Sequence, residues 1–364
     1  MNTRVTDLLG IRVPVIQGAM ARIADGKLAG AVSAAGGLGI IACGGAPLAW
    51  IEEQVRIARE IAGDAPLGAN VMLMDPQAPQ VAELLTKLRV DVVTTGAGSP
   101  ANFMAAWKEA GIKVVPVVAS SALAARMERM GADAVVAEGC EAGGHIGELT
   151  TMALVPSVCD AVRIPVIAAG GVFTGTDGVR MITEAGADGI QAATRFAVTR
   201  ESGLPDAVKQ RYFDARAEDI EVNGISPTGY PMRMLKSSPA INAALKPQCA
   251  AYGYMLDHGG CAYLRAWREA EAAGTAQDGI REKTCLCAQM RSSRVWTLGA
   301  NGARLAEAGK RDASGRWVLP STAEVFDDYR FGVADEVHAR RDGCGSEGRA
   351  ERADKRRADV SLRA

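Results

Sequence analysis

Over the first 200 residues one pattern recurs: a short β-branched apolar run, a glycine-containing turn, then an alanine-rich stretch with helical spacing. The apolar runs predict strands at Val13–Ile16, Leu38–Ile41, Leu67–Leu73, Asp91–Thr95, Val114–Val118, Ala134–Ala137, Val166–Ala169 and Gly189–Ala193. Several are continuously apolar, as parallel strands covered on both faces are, where alternation would mark a half-exposed sheet. Between them, helices are expected over Ala49–Ile61, Val81–Leu88, Pro100–Ala110, Ala122–Met130, Leu154–Val162 and Gly175–Glu184. Gly111, Gly131 and Gly186 each stand just past such a stretch, where glycine adopts the left-handed cap conformation without steric penalty. Eight β-then-α units of about 25 residues each favour closure into a TIM (β/α)8 barrel. An open doubly wound sheet is the architecture that the same alternation leaves as an alternative.

The pattern breaks near residue 200. Residues 1–200 are expected to form the barrel, and 201–290, with irregular Pro, Tyr, Met and Cys and a helical stretch at Tyr263–Ala273, a C-terminal lid subdomain over its mouth. Residues 291–336 read as a return segment packing on the barrel, with a helix near Arg304–Ala308. Residues 337–364, rich in Arg, Asp, Gly and Ser, read as a disordered tail with little bearing on activity.

Composition narrows the classes. Hydrophobic residues make up 48% and charged residues 23% of 364, enough apolar material for a large core without disulfides or metal. The net charge of -1 offers no global field for nucleic acid or an anionic membrane. The N-terminus lacks a signal-peptide pattern, and no apolar run approaches the roughly 18 residues of a membrane span. Cytoplasmic location is the expectation, with the eight cysteines as free thiols or ligands.

A barrel of this kind works at the C-terminal ends of its strands. After the seventh predicted strand comes Gly170-Gly171, and after the eighth Ala193-Thr194, small residues that leave backbone N–H groups available to a phosphate. The alternative for Gly170-Gly171 is a plain tight turn. The sixth strand ends in Glu138-Gly139-Cys140-Glu141-Ala142-Gly143-Gly144-His145-Ile146-Gly147, whose glycines allow a flat ligand to approach the backbone. His145 is one of three histidines. Its place on a mouth loop points to proton transfer, whereas His258 and His338 read as structural. Gln17-Gly18-Ala19-Met20 follows the first strand and is placed to border a ring system. Asn70 is a polar side chain in an apolar strand, needing either a heterocycle edge or neighbouring backbone as its partner.

The stretches Pro14–Met20, Leu28–Ile41, Gly68–Leu73, Val93–Gly98, Ala132–Met152, Pro165–Gly171 and Gln191–Phe196 together resemble the nitronate monooxygenase (2-nitropropane dioxygenase) family and its relatives, the flavin-dependent enoyl-ACP reductases. The resemblance implies an FMN-binding barrel with cofactor contacts at Ala19, Met20, Asn70, Glu138, Gly143, Gly144, Gly170, Gly171, Gln191, Ala193 and Thr194, and His145 as the catalytic group. Relatives usually carry Gly-Thr where this chain has Ala193-Thr194; the backbone donor is retained. Gly224–Ser238 resembles a subgroup assigned to the monooxygenases, which favours oxidation of nitronates or nitroalkanes with O2. Gly143–Met152 is closer to the reductases, which would take NAD(P)H as co-substrate and an enoyl thioester as substrate. The resemblance is also compatible with a homodimer. A non-redox lyase or isomerase keeping the phosphate loops is the alternative from another class; a scaffold would leave His145 without a purpose.

Cys249, Cys261, Cys285 and Cys287 cluster in the expected lid, but C-x11-C and C-x-C do not match common metal-ligand spacing. No metal ligand is assigned. Ordinary thiols are the expectation, with zinc or an iron–sulfur centre the alternative.

Overall fold

The computed structural model describes residues 3–75, 77–223, 230–239, 272–274 and 293–330. Eight strands are parallel neighbours in one sheet: β1 (Val15–Gln17), β2 (Gly39–Ala42), β3 (Leu67–Met72), β4 (Val92–Gly96), β5 (Lys113–Val118), β6 (Val135–Glu138), β8 (Val166–Ala169) and β9 (Gly189–Ala192). Their order is β1-β9-β8-β6-β5-β4-β3-β2, and a parallel bridge from Ile16 to Leu38 joins β1 to β2 and closes the barrel. All eight expected strands are present, each with ends within two residues of those read from the sequence. The barrel is therefore the observed architecture, and the open sheet is excluded by the closing bridge.

The β1–β2 seam is the thinnest part of the wall, and Gln17 reinforces it. Its buried amide donates to the carbonyls of Gly18 at 2.6 Å and Ile40 at 3.3 Å and accepts from the Ile40 N–H at 3.1 Å.

Period-two alternation divides the strand residues. Ile16, Leu38, Ile40, Val92, Val115, Ala134, Val136, Ile167 and Ala169 cluster inside the barrel. Their neighbours pack outward on the helices, such as Ala69, Val71 and Val93 on one side and Val135, Ala137, Ile190 and Ala192 on the other. Those outer helices include α2 (Gly26–Ala35), α3 (Leu48–Ala62), α4 (Ala78–Lys87), α5 (Ala101–Glu109), α6 (Ser121–Arg129), α7 (Thr151–Ala161) and α8 (Gly175–Thr183). The first of these, with its run of Gly, Ala and Ser, went unread in the sequence because small residues give little amphipathic contrast.

A second, three-stranded antiparallel sheet lies over the mouth in the order β10-β11-β7, from β7 (Gly144–His145), β10 (Ile220–Asn223) and β11 (Met232–Leu235). Residues 293–330 return to the barrel: Val325, Phe326 and Tyr329 join the core formed on the outside of β6, β8 and β9, in helical residues 322–330. No helix among the described residues is long and apolar enough to cross a membrane. Cys249, Cys261, Cys285, Cys287, His258, His338, the helix expected at Tyr263–Ala273 (but for residues 272 and 273) and the tail lie outside the described residues, as do residues 224–229.

Candidate active site at the barrel mouth

The interior parity sets the top layer of the barrel. Two residues beyond the buried interior positions, strands β3, β4, β6 and β9 present Asn70, Thr94, Glu138 and Gln191. Four polar side chains at one level above an apolar plug form a floor that hydrogen-bonding ligands can use. Asn70 Nδ2 donates to the Thr94 hydroxyl at 3.0 Å and to its carbonyl at 3.3 Å, which leaves the amide oxygen as an acceptor with no recorded donor. Gln191 is 8% exposed and its side-chain amide has no hydrogen-bond partner among the described residues. It lies against the loop after β1, where a Cβ at Gly18 would stand 3.1 Å from the Gln191 Cγ, Cδ and Nε2 atoms. Thr94 belongs to this floor and was not singled out in the sequence, although a polar residue in an apolar strand is the same signal that marked Asn70.

Glu138 is half-buried at the end of β6, and desolvation by the surrounding protein raises its carboxyl from 4.5 to about 7. Close to neutral pH it is therefore half protonated and able to donate as well as accept.

The strand order puts β3 opposite β8, so Asn70 faces the Gly170–Gly171 loop across the mouth. In that loop both residues have positive φ, +93° and +74°, and a Cβ on Gly170 would lie 2.9 Å from the Gly139 carbonyl and 3.0 Å from the Thr151 hydroxyl. Glycine is required there twice, by dihedral and by space. Gly139 is constrained by space alone, since its Cβ would overlap the Thr151 hydroxyl and backbone nitrogen. Part of the glycine richness after β6 thus serves packing of protein on protein, not the approach of a ligand. Thr151 is the wedge between the two loops. Its hydroxyl lies within bonding distance of a Glu141 carboxylate oxygen (2.9 Å), the Ala169 carbonyl (3.1 Å) and the Gly170 carbonyl (2.9 Å), of which its one proton serves one at a time.

After β9, Ala193 precedes the four-residue helix α9 (Thr194–Ala197), whose first turn has no side-chain cap. The returning chain covers these loops. Gly299 N–H donates to the Thr194 hydroxyl at 3.3 Å, Asn301 Nδ2 to the Gly171 carbonyl at 2.6 Å, and Ala300 N–H to the Glu141 carbonyl at 2.9 Å. A Cβ on Gly143 would stand 2.7 Å from the Leu298 carbonyl carbon. Asn301, Thr151 and Glu141 were not read from the sequence, because their roles arise from contacts between segments 10 to 130 residues apart.

His145 is held in an extended backbone by β11, with Met232 opposite it in the antiparallel ladder and the Ile146 N–H donating to the Pro231 carbonyl at 3.1 Å. Its side chain is exposed at the mouth, yet the surrounding protein desolvates the ring and holds its pKa below the ordinary 6.5. The imidazole is thus mainly neutral at pH 7, the form in which histidine can act as a base. Ala19 and Met20 are half-buried beside the outer core, with Met20 also against the cluster containing Phe173 and Tyr212.

The candidate residues thus gather at one end of the barrel, on the ends of β1, β3, β6, β8 and β9. Unpartnered polar groups on the floor, a glycine and threonine cradle on one rim and a neutral imidazole above fit a phosphorylated planar cofactor. Among the described residues no group of three or more His, Cys, Asp or Glu is arranged to hold a metal ion. Cys43 is fully buried after β2 and its thiol is pushed up to about 12, which makes it inert.

Comparison with known proteins gives a consistent picture. The family profile described as nitronate monooxygenase matches residues 2–308. A Rhodococcus jostii protein named (3aS,4S,5R,7aS)-5-hydroxy-7a-methyl-1-oxo-octahydro-1H-indene-4-carboxyl-CoA dehydrogenase is 35% identical over 237 residues, which is 65% of this chain and 66%, just under two thirds, of that relative. The nitronate monooxygenase of Pseudomonas aeruginosa is 30% identical over 291 residues, 66% of this chain and 83% of its own. Among solved structures, FabK from Thermotoga maritima superposes with a TM-score of 0.72 at 32% identity, covering 94% of this chain and all (100%) of that one.

Proposed function

From the premise that this chain belongs to the nitronate monooxygenase family of oxidoreductases, we propose that it is an FMN-dependent enzyme acting on the carbon next to an electron-withdrawing group of an acyl thioester. The observation that carries this reading is His145: an imidazole kept neutral at pH 7, on a mouth loop, at the same mouth as a floor of polar side chains. Gly170, Gly171, Ala193 and Thr194 would hold the FMN phosphate, while Asn70, Glu138 and Gln191 would meet polar edges of the ring system, bordered by Ala19, Met20, Gly143 and Gly144. When bound, FMN supplies two-electron redox chemistry. His145 takes or returns the proton at the carbon beside the thioester carbonyl, where the carbonyl acidifies the C–H bond. Glu138 binds and orients through a hydrogen that it can donate as well as accept.

Two observations weigh on the substrate. The thioester is favoured by the 35% identity with a carboxyl-CoA dehydrogenase. A nitroalkane or nitronate, oxidised with O2, is favoured by the family description and by the Pseudomonas aeruginosa relative. Nitro and thioester groups acidify the adjacent C–H alike, so His145 plays one part in both readings.

Anaerobic mixing of the purified protein with a nitronate, with crotonyl-CoA plus NADH or NADPH, and with saturated acyl-CoA separates them. Loss of flavin absorbance with acyl-CoA, or with pyridine nucleotide followed by recovery on crotonyl-CoA, supports the thioester reading. Loss with nitronate alone selects the second reading, and a colourless protein that binds no FMN sinks both.

A further inference from the structure

The stretch Gly224–Ser238, singled out in the sequence, contains a cation that the proposed chemistry does not use. Arg233 lies on β11 with its backbone opposite Gly144, one position from His145. Its Nη2 donates to the Cys140 carbonyl at 2.8 Å, and its Nε is buried with no acceptor among the described residues. No carboxylate pairs with it among the described residues. The guanidinium groups of Arg195 and Arg304, by contrast, meet Asp328 and Asp177. Arg233 is half-buried, and a guanidinium nitrogen shut off from water with no acceptor among the described residues is unfavourable, while the planar fork of the group matches an oxyanion.

Directly opposed residues of an antiparallel pair project from the same face, and neighbours along a strand from opposite faces. Arg233 and Gly144 therefore share one face of the small sheet, and Met232 and His145 the other. A nitronate carries its charge mainly on the two oxygens of the nitrogen bonded to the reacting carbon, and so on the His145 side. The loops after β8 and β9 already provide for the cofactor phosphate, whereas Arg233 is tied to the loop after β6. The anion that remains is one distant from the reacting carbon on a long substrate. We propose that Arg233 is a substrate-recognition residue whose guanidinium receives a phosphate of the pantetheine carrier of an acyl thioester. This rests on the thioester reading of the function.

The test uses holoenzyme and the variants Arg233→Met and Arg233→Lys. Calorimetric titration of oxidised holoenzyme with free CoA and with phosphopantetheine reads binding without turnover, and the two ligands separate the nucleotide phosphates from the pantetheine phosphate. The Kd is expected to rise about tenfold to a hundredfold in Arg233→Met, the range of a lost charge-assisted hydrogen bond, and less in Arg233→Lys. The ratio of kcat/KM for crotonyl-CoA to that for crotonyl N-acetylcysteamine, which has no phosphate, is expected to fall about tenfold or more through KM. An unchanged Kd in a folded Arg233→Met or Arg233→Lys protein overturns the proposal. So does an equal loss on both thioesters, which would mark Arg233 as a prop for the His145 loop, or release of FMN, which would assign it to the cofactor. If wild-type enzyme binds CoA through Arg233 but turns over no thioester, the functional reading fails and the anion site stands.

Discussion

His145 and Glu138 stand at the same mouth, and burial moves their pKa values in opposite directions, because desolvation disfavours whichever form is charged. His145→Ala should retain FMN and lose about a hundredfold or more in kcat on a thioester or a neutral nitroalkane, the range of a missing general base. Steady-state rates beside the flavin spectrum of the variant check both halves. In the wild type, the acid limb of kcat/KM should have its midpoint below 6.5, since the base stays unprotonated further into acid. For Glu138 the sign is that of a raised carboxyl: the folded state binds more protons between 4.5 and about 7 than the unfolded chain does. Its contribution is fully present below 4.5 and is lost as pH rises through about 7. Thermal unfolding at pH 5 and pH 8 should therefore show a smaller drop in Tm for Glu138→Gln than for wild type; an equal drop would place the effect on another group.

Among the elements, the loop after β6 carries most of the site and owes its shape to three neighbours. β11 fixes His145, the returning chain fixes Glu141 and Gly143, and Thr151 wedges it against the loop after β8. Overpacking such a junction typically costs about 1–3 kcal/mol. Gly139→Ala should therefore lower Tm and weaken FMN retention together, as seen by calorimetry and by flavin released on dialysis. Thr151→Ser, which keeps the hydroxyl and removes one buried methyl, should cost about 1 kcal/mol of stability and leave FMN retention unchanged in the same two measurements. The barrel strands were legible because their burial on both faces writes continuous apolar runs into the chain, as Val166–Ala169 illustrates. β7 was not legible: Gly144 and His145 have no strand pattern of their own and join a ladder only by pairing with residues about ninety positions later.

For the whole molecule, the family match ends at residue 308, while the described structure continues to residue 330 and contributes Phe326 and Tyr329 to the core. Stability should accordingly depend on 293–330. Deletion of 337–364 is expected to leave Tm and turnover within experimental error, checked by thermal unfolding and steady-state kinetics. Deletion from 322 onward should destabilise the barrel strongly by uncovering the wall beside Val15, Gly37 and Phe196.

Strand number, strand type and the mouth position of Asn70, Glu138, His145, Gly170 and Gln191 follow from the sequence alone, because period-two burial and glycine turns are local consequences of chain chemistry. Tertiary structure alone decided which glycines serve packing, that Thr94 completes the floor, that Thr151 and Asn301 brace the rim, and that Arg233 stands uncompensated beside the His145 loop. Each of these depends on contacts between segments far apart in sequence, and no local pattern of residues encodes what a side chain will meet across the fold.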